Sequence, residues 1–148
     1  MGAERAHVFA LLLEDAPGSL MDVLSAFAYR GVSLDFVLGL GRPRSGSGLA
    51  VFVVRCSEKR AHELERVVRR LPVVTTVHRL LAEPGPDHRT VLVERLGAGG
   101  SAASLPLGSL DLTVQWMLIT GPEPAVRQFL RGGIDRRELG DHVEVLVG

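Results

Sequence analysis

Residues 11–34, LLLEDAPGSLMDVLSAFAYRGVSL, contain the change of period that decides the fold. Residues 7–13, which end two residues before the Asp-Ala-Pro-Gly segment begins, are apolar on both faces of an extended chain. This pattern predicts a buried strand. After the Asp-Ala-Pro-Gly segment, apolar residues recur at helical spacing, and Gly31 stands where a helix C-terminal glycine is expected. The segment therefore joins a strand to an amphipathic helix over residues 18–30.

The next fifty residues repeat this arrangement. Residues 32–40 alternate as a strand, which predicts four apolar side chains on one side of it: Leu34, Phe36, Leu38 and Leu40. Residues 49–55 form another strand with two apolar faces, and Ser57 is a candidate cap for a second helix that Pro72 ends. Residues 73–80 are rich in β-branched residues and predict a fourth strand.

The predicted order is βαββαβ, an α+β, ferredoxin-like sandwich. Right-handed crossovers place both helices on one face of the sheet, with the first and third strands in its centre. The other face is apolar and lacks helices, so we expect either the C-terminal segment or a second copy of the chain to cover it. The second-copy alternative predicts a homodimer.

The predicted boundaries divide the chain into a domain at residues 1–81, a linker at 82–87 and a smaller αβ segment at 88–148. In that segment we expect strands at 88–95, 111–119 and 142–147 and a short helix at 123–131. Its last βαβ unit resembles the second half of the first domain, so it is interpreted as a degenerate second copy. Residues 41–48 and 97–109 are predicted loops.

Composition excludes several function classes. The 148 residues carry 17 basic and 17 acidic side chains, so the chain offers no field for nucleic acid or an anionic membrane. No apolar run approaches the roughly 20 residues that span a bilayer. The single Cys56 suits a reducing compartment, and we expect a cytoplasmic protein. The five histidines lack ligand spacing, so we expect no metal site and no cofactor.

A family resemblance appears over residues 7–80. The pattern His-Val-x-x-x-Leu-Leu-Glu-Asp-x-Pro-Gly-x-Leu, an amphipathic helix and then Arg-Gly-Val-Ser-Leu-Asp resemble an ACT domain. The pattern is most similar to the ACT domain that opens the regulatory small subunit of acetolactate synthase. ACT domains are allosteric modules that bind small molecules, usually amino acids, between two paired modules.

The resemblance implies a ligand site at the turn, with a second wall supplied by the second strand of a neighbouring module. Transferred by position, the candidate ligand-binding residues are Asp15, Ala16, Pro17, Gly18, Ser19, Leu20, Met21, Asp35 and Val37. Among them, Leu20 and Met21 would bound the ligand's side chain, which favours an apolar or small amino acid.

The turn also has a physical interpretation of its own. The first N–H groups of a helix lack partners and carry a partial positive charge, so those of Gly18 and Ser19 are candidate donors to a carboxylate. The alternative is that Gly18 only completes a tight turn, with Asp15 capping the helix. Amino-acid-binding members of the family commonly carry Asn where this chain has Asp15, and an ionised Asp repels a carboxylate.

The string GAGGSA, residues 97–102, fits a dinucleotide-binding fingerprint. Pro106 and Gly108 follow at once and leave no helix for a pyrophosphate, and no acidic residue stands at the ribose position. We interpret this segment as a loop.

The sequence thus predicts a regulatory, non-catalytic protein that senses an amino acid and controls a partner enzyme. The partner that the resemblance implies is an acetolactate synthase catalytic subunit. Two alternatives stay open. One is a stand-alone ACT-type scaffolding or regulatory protein without an amino-acid ligand, and the other is a small enzyme, because ferredoxin-like scaffolds host many activities.

Overall fold

The computed structural model describes residues 3–14, 16–40, 47–81, 87–96, 105, 107–113 and 115–146. The chain divides into two compact units, which we call unit 1 (residues 1–82) and unit 2 (residues 83–147). The polar loop at 41–46, the linker at 82–86 and the fingerprint segment at 97–102 lie outside the described residues.

Unit 1 has the predicted βαββαβ order. Its elements are β1 (Arg5–Glu14), α1 (Ser19–Tyr29), β2 (Leu34–Leu40), β3 (Ser47–Cys56), α2 (Glu58–Arg69) and β4 (Val74–Leu81). The antiparallel sheet runs β2-β3-β1-β4, so the two strands that are apolar on both faces occupy its centre. This confirms the α+β, ferredoxin-like fold.

Both helices pack on one face of this sheet. The rings of Phe9 of β1 and Phe27 of α1 pack edge to face with their centroids 5.7 Å apart. The ring centroids of Phe27 and Phe52 of β3 are 5.6 Å apart. Ala61, Leu64 and Val68 of α2 complete the same buried cluster. Each fully buried large side chain of this kind contributes roughly 1.5–3 kcal/mol to folding.

Two predicted helix boundaries are confirmed. Gly31 follows α1 with a φ of 67° and donates its N–H to Ala28 O at 3.0 Å, while Val32 N–H reaches Phe27 O at 3.2 Å. These two bonds form a Schellman motif, which requires the left-handed residue. At the start of α2, the Ser57 hydroxyl accepts the Arg60 N–H at 3.2 Å.

The predicted alternation in β2 is wrong at one position. Leu34 pairs with Val54, whereas Phe36 pairs with Val53, so Asp35 is an extra residue in a β-bulge. Paired residues share a face of the sheet. Leu34 therefore packs against the helix-side cluster, while Phe36, Leu38 and Leu40 lie on the opposite face. Alternation could not reveal the bulge, because apolar residues flank Asp35 on both sides.

Unit 2 consists of β5 (His88–Arg95), β6 (Gly108–Asp111), β7 (Trp116–Pro122), α3 (Glu123–Asp135) and β8 (Leu139–Val145). Its sheet runs β6-β7-β5-β8, the strand order of unit 1. Val91, Ile119, Val126 and Phe129 belong to its core.

The prediction of a single strand at 111–119 is wrong, because this segment contains the end of β6 and the beginning of β7. Leu112 and Thr113 N–H both donate to Trp116 O, and the Thr113 hydroxyl accepts from the N–H groups of Gln115 and Trp116. These bonds turn the chain between β6 and β7 without a glycine, proline or asparagine signal. The helix expected at 123–131 continues to Asp135, and the final strand begins earlier than expected, at Leu139.

Within the described part of the chain, no helix combines the length and apolar character needed to cross a membrane.

Candidate functional site

The turn between β1 and α1 explains the glycine at position 18. Ala16 N–H donates to Glu14 O at 2.9 Å and Ser19 N–H to Ala16 O at 3.2 Å, which fold the chain back toward the helix. Gly18 has φ 89° and ψ −11°, a left-handed conformation that side chains disfavour. A Cβ built on Gly18 would meet nothing within 4 Å. Backbone conformation, rather than close approach of a neighbour, therefore requires glycine here.

The donors at the start of α1 differ from those expected. The first bond within the helix runs from Asp22 N–H to Gly18 O at 2.9 Å. Ser19 N–H is used inside the turn, so it is not a free donor to a ligand. The N–H groups of Leu20 and Met21 lie in the first helical turn, where no carbonyl of the helix can accept from them, and the helix dipole is positive there.

A groove of about 260 Å³ opens beside this helix start. It lies between the turn, the end of β1, the end of β2 and the beginning of β3. Its lining residues are Leu13, Glu14, Ala16, Ser19, Leu20, Gly39, Leu40, Gly48, Leu49 and Ala50. The groove is smaller than the roughly 300–1,000 Å³ of pockets for drug-sized molecules, so its size suits a small ligand.

Small residues on the helix side of the sheet keep this groove open. Gly39 of β2 pairs with Ala50 of β3, and Gly48 pairs with Leu13 at the end of β1. A Cβ on Gly39 would lie 3.3 Å from Leu20 Cδ2, so the missing side chain lets Leu20 approach the strand. Larger residues at these positions would fill the space.

The Ser19 hydroxyl is the unusual polar group of the groove. Ser19 is only 4% exposed, and its Oγ has no hydrogen-bond partner among the described residues. A buried hydroxyl without a partner costs free energy, so such groups usually meet water or a ligand. Glu14 is the charged residue of the lining, and it is exposed.

Eight of the nine sequence-predicted residues are described, and they occupy three positions relative to the groove. Ala16, Ser19 and Leu20 line it. Pro17, Gly18 and Met21 flank it, and the Met21 side chain is 61% exposed. Asp35 and Val37 lie on β2 outside the lining, and Asp35 approaches Arg55 at 3.7 Å. Asp15 lies outside the described residues.

Sequence reasoning missed the strand residues of the groove: Leu13, Glu14, Gly39, Leu40, Gly48, Leu49 and Ala50. A signal for part of this set was present. Gly39 and Gly48 are isolated glycines within strands, a position that often marks the close approach of a ligand or of another chain segment.

Two titratable side chains lie at the opposite end of the central strands. Burial lowers the pKa of His7, whose Nδ1 is 3.3 Å from Arg79 Nη1 and 4.0 Å from Glu58 Oε2. Burial raises the pKa of the Cys56 thiol, which keeps it protonated and a poor nucleophile. The residues that the structure describes contain no cluster of three or more potential metal ligands.

A larger, open depression of about 630 Å³ follows the outer face of α3. Its lining comes from that helix alone, and Arg127 there pairs with Glu123 one turn earlier. No second element among the described residues closes this depression, so we interpret it as a solvated helix face.

Comparisons with known proteins concern the fold. No family model matches the chain, and no curated protein matches it. The acetolactate synthase small subunit from Thermotoga maritima is similar over 97% of this chain and 95% of its own, with 18% identity and a TM-score of 0.49. The aspartate kinase regulatory subunit from Thermus thermophilus is similar over 88% and 91%, with 18% identity and a TM-score of 0.43.

An ACT domain from the GTP pyrophosphokinase of Chlorobium tepidum is similar over 52% of this chain and 86% of its own, with 14% identity and a TM-score of 0.47. At these identities and TM-scores the similarities carry no conclusion about ligand, partner or activity. The solved structures that are similar to this chain include the ACT-type proteins that its sequence resembles.

Proposed function

We propose that this chain is a regulatory, non-catalytic ACT-type protein whose unit 1 binds a small amino acid in the groove beside α1. The observation that carries the proposal is a groove of about 260 Å³ at the N-terminus of α1, beside the buried Ser19 hydroxyl, which has no hydrogen-bond partner among the described residues. The left-handed Gly18 alone does not support it, since the turn accounts for that residue.

The charges around the groove suit a zwitterion. The Leu20 and Met21 N–H groups, with the positive end of the α1 dipole, attract a carboxylate. The negative charge of the exposed lining residue Glu14 attracts an ammonium group. Both charged ends of the ligand then stay near water, where desolvation costs least.

A second copy of the chain is the proposed means of regulation. Among the described strands, β2 is an edge strand that pairs with β3 alone, so its outer backbone groups are available for pairing. Val37 on this strand is 43% exposed and lies next to Gly39 at the groove. Pairing through β2 would bring Asp35 and Val37 of one copy toward the groove of the other, and a ligand there would favour one dimer arrangement.

The proposed partner is the catalytic subunit of an amino-acid biosynthetic enzyme, with acetolactate synthase as the specific candidate. This part rests on the sequence resemblance over residues 7–80. The proposed location is the cytoplasm, where the buried, free thiol of Cys56 stays reduced.

A thermal-shift screen against the twenty amino acids, followed by calorimetric titration, tests the proposal. We expect at least one small amino acid to raise the melting temperature, because a ligand that binds only the folded state stabilises it. Light scattering at micromolar concentration should show a dimer. If no amino acid has an effect, the ligand-free scaffolding role is favoured instead.

A further inference from the structure

The outer face of α2 carries its exposed basic residues in one row. The buried residues of this helix, Ala61, Leu64 and Val68, belong to the core of unit 1. At 3.6 residues per turn, the exposed basic residues all lie on the opposite side of the helix, within an arc of about 100° and over a length of about 16 Å. We call them the basic stripe: Lys59, His62, Arg66, Arg69 and Arg70.

The carboxylates of α2 are held on its two flanks. Glu58 Oε1 accepts from Arg79 Nη1 at 3.0 Å, and Glu65 Oε2 lies 3.6 Å from Arg79 Nε. Arg79 belongs to β4, so these two carboxylates are on the flank that faces this strand. On the other flank, Glu63 Oε2 lies 3.6 Å from Arg60 Nη1, and Arg60 also donates to the carbonyl at the C-terminal end of α1.

Three members of the basic stripe keep a positive charge that no carboxylate offsets. His62 and Arg69 both lie within 4 Å of Glu65. Lys59, Arg66 and Arg70 are exposed and form no ion pair with any residue that the structure describes. Because the chain as a whole has no net charge, this positive potential is local to the outer face of α2.

An acidic protein surface is the partner whose charge complements this stripe. Exposed guanidinium groups bind carboxylates with two parallel hydrogen bonds. The basic stripe contains no apolar side chain, whereas a helix that binds a membrane buries an apolar face among the lipids. A nucleic acid presents phosphates over a longer surface, and the neutral chain offers no wider positive field to hold it.

We propose that the basic stripe of α2 docks this chain on an acidic surface of the enzyme that it regulates. This inference rests on the proposed function and adds to it a contact surface and the chemistry of that contact. The stripe shares no residue with the groove lining. Unit 1 therefore binds the amino acid and the enzyme through different residues.

Fluorescence anisotropy of the full chain with labelled poly-L-glutamate tests the inference. The stripe variant reverses the three unpaired charges: Lys59→Glu, Arg66→Glu and Arg70→Glu. The control variant reverses three exposed arginines at matching places on α3 and its C-terminal end: Arg127→Glu, Arg131→Glu and Arg136→Glu. Both variants change the net charge equally, so a difference between them reports the position of the charges.

We expect the natural protein and the control variant to bind poly-L-glutamate equally, and the stripe variant to bind it at least about tenfold more weakly, because attractions become repulsions. The natural affinity should fall as potassium chloride is raised from about 0.05 M to about 0.3 M. Equal binding by the natural protein and the stripe variant, or no binding by either, would overturn the inference. Tighter binding of phosphatidylserine vesicles or of a DNA duplex would also overturn it, and would assign the stripe to a membrane or to nucleic acid.

A parallel titration with the acetolactate synthase catalytic subunit separates this inference from the proposed function. We expect the same order of affinities among the three proteins. A catalytic subunit that binds the natural protein and the stripe variant equally would overturn the inference and leave the proposed function intact. If the catalytic subunit does not bind the natural protein while poly-L-glutamate binds the stripe, the proposed enzyme is wrong and the acidic-surface contact stands.

Discussion

The two units share a strand order but differ at the same corner of the sheet. In unit 1, Gly39 of β2 pairs with Ala50 of β3, which pairs with Leu11 of β1. In unit 2, Asp111 of β6 pairs with Met117 of β7, which pairs with Val93 of β5. Glycine and alanine in the first unit thus correspond to an aspartate and a methionine in the second.

The larger side chains occupy the corner of unit 2. Arg95, at the end of β5, donates from Nη2 to Asp111 Oδ1 at 2.5 Å and contacts Met117 Sδ at 3.0 Å. The corresponding corner of unit 1 holds the 260 Å³ groove with the Ser19 hydroxyl. Among the described residues, side-chain size at a few strand positions thus differs between the groove of unit 1 and the corresponding corner of unit 2.

Filling the groove of unit 1 should have the largest effect on amino-acid binding. In Gly39→Leu the new side chain enters the groove and displaces the flexible end of Leu20, so we expect complete loss of the amino-acid-induced thermal shift. The free energy of unfolding should change by less than about 1 kcal/mol, because the site is on an edge strand. Gly108→Leu, the same substitution on the edge strand β6 of unit 2, is the matched control and should keep the thermal shift.

Removing the Arg95 side chain from the corner of unit 2 should lower the free energy of unfolding and leave amino-acid binding unchanged. Arg95→Ala removes an ion pair and the packing of the arginine stem, so we expect a loss of roughly 1–2 kcal/mol in urea unfolding. Arg127→Ala, which breaks an exposed pair with Glu123, should cost only about 0.3–0.5 kcal/mol. An effect of Arg95→Ala on amino-acid affinity would contradict the proposal that unit 1 alone binds the ligand.

Acid should weaken unit 1 through His7. Because burial lowers its pKa in the folded state, the unfolded chain binds the proton more readily, at the ordinary pKa of 6.5. Stability contributed by neutral His7 is therefore present above that pH and is lost as the pH falls below it, toward the lower pKa of the folded state. Arg79 and Arg5 oppose protonation there, whereas Glu58 favours it.

Urea titrations from about pH 7.5 to about pH 5.5 should show this loss in the natural protein and a flatter profile in His7→Gln. His62→Gln, which changes an exposed histidine of α2, is the control and should keep the natural slope. If the free energy of unfolding depends on pH equally in all three proteins, His7 is excluded as the source of the acid sensitivity.

Removing the Ser19 hydroxyl should have the smallest effect. In the absence of ligand, Ser19→Ala should raise the free energy of unfolding by about 0.5 kcal/mol more than Ser25→Ala does. Ser25, on the same helix, is the reference for the replacement of a serine by alanine. A Ser19→Ala protein less stable than Ser25→Ala would mean that the hydroxyl has a partner.

Local signals in the sequence predicted much of unit 1. Helical spacing, Gly31 and Ser57 located α1 and α2, because each acts through neighbouring residues. The bulge at Asp35 depends on the partner strand β3 and therefore left no local signal. The groove was predicted on one side only, at the turn, since its other side comes from strands 20 to 30 residues further along the chain.

The most direct test of an amino-acid site in unit 1 is a ¹⁵N-labelled NMR titration of the full chain with the amino acid that gives the largest thermal shift. We expect the amide signals of Leu20, Met21 and Gly39 to shift with a common dissociation constant, while those of Arg95 and Asp111 stay unchanged. A saturating concentration of this amino acid that leaves the three unit 1 signals in place, or that shifts the unit 2 signals instead, would contradict the proposed site.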